Sequence, residues 1–389
     1  MSSTTKLMSS VFSNRPIEVF RYSKKGGELS SVTFDYSGLA KLSIPRNYTP
    51  PKLTPQFFRQ WDVRKGSRKF KHYVFAKDIS RIDLLLKSVV SYESTISKGT
   101  EIDSLTDQLT KLEIKSKRRQ ILCHNGLFTD IALGSKECYE VIYYKNQIIF
   151  ANTERRENQN DLFSYIGLKF EHYLARSEEK VDDGHFKLLL KGQYGDFPFL
   201  SVVEVDGATE KWIEPTNNTE QMNALNNYVE VKLTLVHDFP TIEKLNKIVS
   251  PSEVLTYVEK NVKFFDKKLE KWLYQCWFGR QDTLIIGTRD QSFKILFVKQ
   301  LHINDLIQYI KKNKLRMYER FTSSIEKIEK VLTMVDDYVL KNSQAKEKEN
   351  VFLLKLGSRP LIEKTSPEKA NSLFDISITK EFQDWREKT

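Results

Sequence analysis

Residues Ser201–Val236 read SVVEVDGATEKWIEPTNNTEQMNALNNYVEVKLTLV. Two short apolar runs bracket a polar middle, and each carries charge at alternate positions: Glu204-Val205-Asp206 in the first, Glu230-Val231-Lys232 in the second. Strand side chains alternate faces, so Glu204 shares a face with Asp206, and Glu230 shares one with Lys232. If the two strands are neighbours, three carboxylates and one ammonium converge. Like charges held together oppose folding, so such a gathering needs a chemical reason.

Working outward, the flanking sequence alternates strand and helix signals. Residues 16–60 hold short strand-like pieces broken by Gly26-Gly27, Pro45 and Pro50-Pro51. Apolar residues with helical spacing predict a helix over Ile79–Ser91, and a second is expected near Leu105–Ile114. Ile121–Leu133 reads as a strand running into a bend at Asn125-Gly126, and Glu140–Ala151 as a hairpin turning at Lys145-Asn146. A helix over Asp161–Ala175 precedes strands in 185–192 and 199–206; residues 207–226 read as loop, and Tyr228–Val236 as strand. Pro251-Ser252 opens a helical region to Trp277 with Lys263, Lys267, Lys268 and Lys271 on one face. A hairpin around Asp290-Gln291, two helices and a late strand at Val351–Leu356 follow. The pattern predicts an α+β protein, with central mixed β-sheets flanked by helices. We expect a single large domain over residues 1–389, with 1–15 a loose leader and about 360–389 a surface tail.

Composition bounds the partners. Lys and Arg number 62 against 51 Asp and Glu, a formal charge of +11 that suits a polyanion. The segment Phe57–Phe75, FFRQWDVRKGSRKFKHYVF, interleaves aromatics with cations as single-strand nucleic-acid grips do. The plainer reading of that segment is a basic outer face over ordinary core aromatics. Three widely spaced cysteines, Cys123, Cys138 and Cys276, make neither a disulfide framework nor a zinc signature, which points to free thiols in a reducing compartment. His124, His172 and His185 lack ligand spacing for zinc. The first residues lack a signal-peptide core, and no apolar run is long enough for a membrane helix, so a soluble intracellular protein is expected. Lys115-Ser116-Lys117-Arg118-Arg119 is compatible with a nuclear address or with solvated surface.

Phosphodiester hydrolysis needs an aligned water, neutralisation of developing charge and stabilisation of the leaving oxygen. Divalent ions held by carboxylates, with a lysine near the phosphate, supply these. Asp206, 23 intervening residues, then Glu230-x-Lys232 has the spacing of a PD-(D/E)xK nuclease-like core. Acid-x-Lys alone is a weak signal. Two features add to it: Gly167-Leu168-Lys169-Phe170-Glu171 offers a further carboxylate, and Trp272-Leu273-Tyr274-Gln275-Cys276 offers an amide among apolar residues.

Taken in order, Gly-Leu-Lys-Phe-Glu, Glu-Val-Asp, Glu-Val-Lys, Trp-x-x-Gln and Gly287-Thr288-Arg289-Asp290 resemble the DXO/RAI family of eukaryotic RNA 5′-end quality-control enzymes. The opening Pro16-Ile17-Glu18-Val19-Phe20-Arg21-Tyr22-Ser23 resembles that family's start, so the likeness spans nearly the whole chain. It is nearest to the fungal nuclear members that partner an XRN-type 5′→3′ exoribonuclease, then to the cytoplasmic paralogues. The resemblance implies that Glu171, Asp206, Glu230 and the Val231 carbonyl ligate two divalent ions, Mg²⁺ or Mn²⁺. It implies that Glu204 acts through bound water, and that Lys232 and Gln275 contact the scissile phosphate. One position departs from the pattern. The family's first motif is an Arg before Gly; here Asn125-Gly126 stands there, a neutral, shorter side chain in place of a bidentate cation. Arg118 or Arg119 could substitute.

The resemblance therefore implies a metal-dependent hydrolase that removes incomplete or non-canonical caps from RNA with an aberrant 5′ end, in a nuclear or alternatively a cytoplasmic setting. Asn125 directs the expected cleavage to the first phosphodiester rather than to pyrophosphate release. A second reading is a protein whose main role is to stabilise or activate an XRN-type exoribonuclease; a third is a distributive 5′→3′ exoribonuclease. A DNA nuclease with the same core chemistry is the fourth, against which stand the Glu171 and Gln275 motifs.

Overall fold

The computed structural model describes residues 15–24, 32–43, 61–69, 82–97, 118–152, 161–176, 185–215, 225–237, 248 and 250–388. Among them, β1 (Ile17–Lys24), β2 (Val32–Thr33) and β3 (Lys41–Leu42) lead to helix α1 (Asp83–Ser97). The second expected helix, near 105–114, lies outside the described residues. Next come β4 (Gln120–His124), α2 (Gly126–Leu133), β5 (Cys138–Tyr144), β6 (Gln147–Asn152), α3 (Asp161–Leu174), β7 (His185–Tyr194), β8 (Phe197–Val205), β9 (Gly207–Thr209) and β10 (Tyr228–Leu235). The second half holds α4 (Pro251–Asn261), α5 (Phe265–Phe278), β11 (Thr283–Arg289), β12 (Ile295–His302), α6 (Ile303–Asn313), α7 (Leu315–Thr322), α8 (Ser324–Asn342), β13 (Val351–Lys355), β14 (Leu361–Lys364), α9 (Pro367–Ser377) and α10 (Lys380–Lys388).

Local chemistry explains many of these boundaries. Lys145 and Asn146 both take left-handed dihedrals, closing β5 onto β6 with the tight turn whose twist suits a hairpin. Ser250 and Glu253 form a reciprocal capping box at the start of α4, with Pro251 at the first helical position.

The strands form two mixed sheets, as the α+β expectation requires. One has nine strands in the order β14-β13-β5-β6-β4-β8-β7-β1-β2; the other has five, β12-β11-β10-β9-β3. Strands β4 and β8 are parallel, as are β10 and β11. The largest apolar cluster joins α2 and α4–α8 to faces of both sheets. Helix α1 and the last two helices cover part of the other face of the nine-stranded sheet. Helix α3 covers the outer face of the five-stranded sheet through Tyr165, Ile166, Phe170 and Leu174. No helix among the described residues is long and apolar enough to cross a membrane.

Four expectations are corrected. Residues 126–133 are a helix, not a bent strand: Leu127, Phe128, Ile131 and Ala132 are buried with helical spacing, and Gly134 ends the helix in a left-handed turn. Residues 207–209 form β9 rather than loop. Three helices, not two, follow β12, because the chain breaks at Lys314 and Ser323. The expected surface tail folds back: Phe374, Ile378 and Phe382 are buried, and Arg386 forks onto Glu93 of α1 at 2.6 and 2.9 Å. The pairing that alternation left open is also settled: the charged triplets lie on different sheets, since β8 belongs to the nine-stranded sheet and β10 to the five-stranded one.

Candidate active site

The two sheets meet where the chain leaves β8 and enters β9, and Asp206 is the residue between them. Gly207 makes that crossing possible. A Cβ there would lie 2.5 Å from Leu42 Cγ and 2.8 Å from the Ala40 carbonyl oxygen. β9 pairs with β10 only at Tyr228 and Val229, so from Glu230 onward β10 has an open edge on that side. The Val231 N–H donates to Asp206 Oδ2 across this edge at 2.7 Å. In a strand, the N–H and C=O of one residue point to the same edge, so the Val231 carbonyl also faces Asp206.

Glu230 and Lys232 share a face, as the alternation predicted, and the Lys232 ammonium donates to Glu230 Oε1. Burial alone would lower the Lys232 pKa, but Glu230 and Asp206 outweigh it and hold the ammonium above the ordinary lysine range. Lys187, directly opposite Glu204 on β7, places its ammonium 3.7 Å from Glu204 Oε2.

Glu171 arrives from α3. Gly287 of β11 leaves room for Phe170, since a Cβ there would lie 2.4 Å from the Phe170 ring. Seating Phe170 against that strand sets the height of the residue after it. Burial pushes the Glu171 carboxyl well above the usual range, with repulsion from Asp206, Glu204 and Glu230 adding to it. Asp206 is raised for the same reasons, burial first and Glu230 next. Gln275 is half-buried on α5, beside Cys276, whose buried thiol is pushed up by burial and then by Glu230. Lys268, seven residues earlier and so on the same helical face, donates to the Thr234 hydroxyl at 2.9 Å. That face of α5 therefore runs along the Glu230-Lys232-Thr234 face of β10.

The remaining sequence-derived candidates fall elsewhere. With its amide oriented to satisfy both atoms, Asn125 donates to the Phe278 carbonyl (3.0 Å) and accepts from the Gly279 N–H (3.1 Å). It thus clamps the end of α5. Arg118 contacts Asp336 and Asp337 at 2.9 and 2.7 Å, and Arg119 contacts Asp336 at 2.6 Å, so both guanidiniums are committed to α8. Sequence reasoning missed Gln281. It is wholly buried, and its amide donates to the Glu204 carbonyl at 2.6 Å, fixing the backbone of the acidic triplet. It also missed Glu18, which accepts from the Tyr36 and Tyr228 hydroxyls at 2.9 and 2.7 Å and anchors the start of β10. No local signal marks either residue.

Four carboxylates (Glu171, Glu204, Asp206, Glu230) thus lie in one electrostatic neighbourhood with Lys232. Among the described residues no three potential ligands stand close enough to chelate an ion as placed. Lys232 is turned onto Glu230, and Asp206 onto the Val231 amide. The donor set is all hard oxygen, with negative charge in excess and two carboxyls raised by burial and mutual repulsion. That fits a divalent cation of the Mg²⁺, Mn²⁺ or Ca²⁺ kind.

The family described as RAI1-like PD-(D/E)XK nuclease matches residues 14–373. No curated protein matches the sequence. Among solved structures, Rai1 of Candida albicans in complex with pU5-Mn²⁺ is similar with a TM-score of 0.68 at 17% identity, over 97% of this chain and 96% of that one. Rai1 of Scheffersomyces stipitis in complex with (3′-NADP)⁺ and calcium gives 0.66 at 17% identity, with the same coverage. Dxo1 of K. lactis in complex with manganese gives 0.50 at 15% identity, over 90% of each chain. Identities this low establish a shared fold.

Proposed function

The chain belongs to the RAI1-like PD-(D/E)XK nuclease family, and from that premise we propose that it is a metal-dependent hydrolase of RNA 5′ ends that removes incomplete or non-canonical caps. The observation that carries the proposal is the open edge of β10, where Asp206, the Val231 backbone, Glu230 and Lys232 meet under Glu171. The nucleotide and metal ligands of the similar Rai1 and Dxo1 structures support the substrate class and the use of divalent ions.

In this reading Glu171, Asp206, Glu230 and the Val231 carbonyl would hold Mg²⁺ or Mn²⁺, two ions in all, and Glu204 would act through bound water. When bound, the metal supplies an activated water and neutralises charge on the phosphoryl oxygens. Glu230 would be one of the residues that hold the ion, and the Lys232 ammonium, now on Glu230 Oε1, is the group that would meet a phosphate oxygen. Lys187 holds Glu204 in place, and Gln281 fixes the backbone beneath it. Gln275 offers its amide from the α5 face that runs along β10. Because the Asn125 amide and both neighbouring arginines are already engaged, cleavage falls on the first phosphodiester in preference to pyrophosphate release. An XRN-type 5′→3′ exoribonuclease as partner, and a nuclear place of action, extend the proposal on the Rai1 likeness alone.

The test compares capped, triphosphate and 5′-monophosphate RNA with single-stranded DNA in Mg²⁺ or Mn²⁺. Replacing Glu204 and Asp206 together by Ala is expected to abolish turnover while the melting profile stays cooperative. Retained turnover would sink the assignment.

A further inference from the structure

Phe264, the residue before α5, combines two features that each cost the folded chain stability. Its backbone is left-handed, with φ 57° and ψ 34°, a conformation that suits Gly or Asn and strains a bulky side chain. Its side chain lies in water, 74% exposed. Phe293 is left-handed too, but it packs against the apolar cluster under α3, so burial offsets its strain. Phe264 has no such compensation: its ring faces the Lys267 ammonium, 6.0 Å from the ring centre. A bulky apolar residue both strained and left in water is explained by something outside the chain that covers it.

A second exposed apolar residue belongs to the same surface. The Lys314 ammonium, at the break between α6 and α7, bonds Glu259 near the end of α4 and meets Asp266 of α5 at 3.0 Å. This bridge joins the start of α5 to the start of α7. Phe264 lies two residues before Asp266, and Leu315, 61% exposed, directly follows Lys314. Around the two, Lys263, Lys267, Lys311, Lys312 and Arg316 are all exposed. Among the described residues none of these five has a carboxylate at ion-pair distance. Residues 259–271 and 311–320 together hold ten Lys and Arg against four Asp and Glu. Three of those acids are already engaged, Glu259 and Asp266 by Lys314, and Glu270 by Arg320 at 2.7 Å. The surface is thus a pair of apolar anchors set in an excess of positive charge.

We propose that this surface docks an acidic peptide segment of a partner protein, with large apolar side chains seated on Phe264 and Leu315 and Asp or Glu facing the five cations. Charge complementarity selects the acidic segment and steers its approach, and the apolar anchors hold it. The anchors also set the class of partner. A nucleic-acid strand offers apolar surface on its base faces, which stack on rings, and Leu315 has no ring. The inference stands apart from the acidic site, of which neither Phe264 nor Leu315 forms part.

The experiment selects displayed random dodecapeptides on the immobilised full chain and measures the enriched sequences by fluorescence anisotropy. These are expected to carry Asp or Glu around large apolar residues and to bind less tightly as salt is raised. Phe264→Gly and Leu315→Ser are each expected to weaken them at least about tenfold. Phe264→Gly should melt no lower than the unaltered protein, because Gly takes the left-handed conformation without strain, and its hydrolysis of RNA should be unchanged. No enrichment of acidic sequences, or enriched peptides that bind Phe264→Gly as tightly, would overturn the proposal. A lower melting temperature for Phe264→Gly would overturn it too, by making Phe264 a structural residue. Weaker oligouridylate binding or slower RNA hydrolysis in that variant would assign the surface to RNA. Loss in that variant of a dimer that the unaltered protein forms in sedimentation would assign it to a second copy of this chain. Either result refutes the peptide.

Discussion

Asp206→Asn should separate the cost of the acidic site from its use. Asn keeps an oxygen able to accept the Val231 N–H, which Asp206 Oδ2 now receives at 2.7 Å, so the junction between the sheets survives. What changes is charge. Asp206 bonds to the amide of the residue after Glu230, which sets the two carboxylates roughly 6–8 Å apart; at an effective dielectric of about 20, their repulsion is about 2–3 kcal/mol. Lys232 offsets part of this, leaving a net gain of about 1–2 kcal/mol on neutralisation, or about 1–3 °C for a chain of this length. The sign follows from the titration. The folded-state pKa of Asp206 is raised, by burial and then by Glu230. Between the unfolded value and the raised one the folded state binds more protons, so stability falls as pH rises through the raised pKa. Asp206→Asn removes that loss, and its advantage should therefore exist at neutral to alkaline pH and shrink as the medium becomes acidic. Calorimetry in EDTA at pH 8 and pH 5 checks it, with RNA hydrolysis falling at least a hundredfold in parallel. A variant less stable than the parent at pH 8, or equally stabilised at both pH values, would refute the electrostatic reasoning.

Gln281→Leu leaves the Glu204 carbonyl without its buried donor and should cost about 1–3 kcal/mol, with kcat falling more than KM rises; calorimetry and steady-state kinetics report the two parts. Arg119→Ala removes one of the two guanidiniums on the fully buried Asp336 and should cost about 2–4 kcal/mol. Its KM for triphosphate RNA should not move, because that arginine is committed to α8. Phe382→Ala hollows the seat of the last helix and should cost about 3–5 kcal/mol in chemical denaturation, which a surface tail would not.

Sequence alone determined what depends on neighbours along the chain. Alternation put Glu230 and Lys232 on one face because strand side chains alternate whatever the strand pairs with. The Lys145-Asn146 turn and the Pro251 helix start were legible because turn and cap chemistry acts within a few residues. The spacing of Glu171, Asp206, Glu230, Lys232 and Gln275 was legible as an ordered set of motifs. Alternation cannot name a strand's partner, however, and the two triplets turned out to lie in different sheets with Asp206 at the crossing. The bend expected at Asn125 became a helix because burial on one face of residues 127–132 outweighed a turn-like dipeptide. The contact of Gln281 with Glu204 spans 77 residues, and that of Arg119 with Asp336 spans 217. Contacts that distant leave no periodicity and no spacing in the chain. Only the packing of helices on sheets decided that Glu171 shares the electrostatic neighbourhood of Asp206 and Glu230, and that Asn125 clamps a helix end.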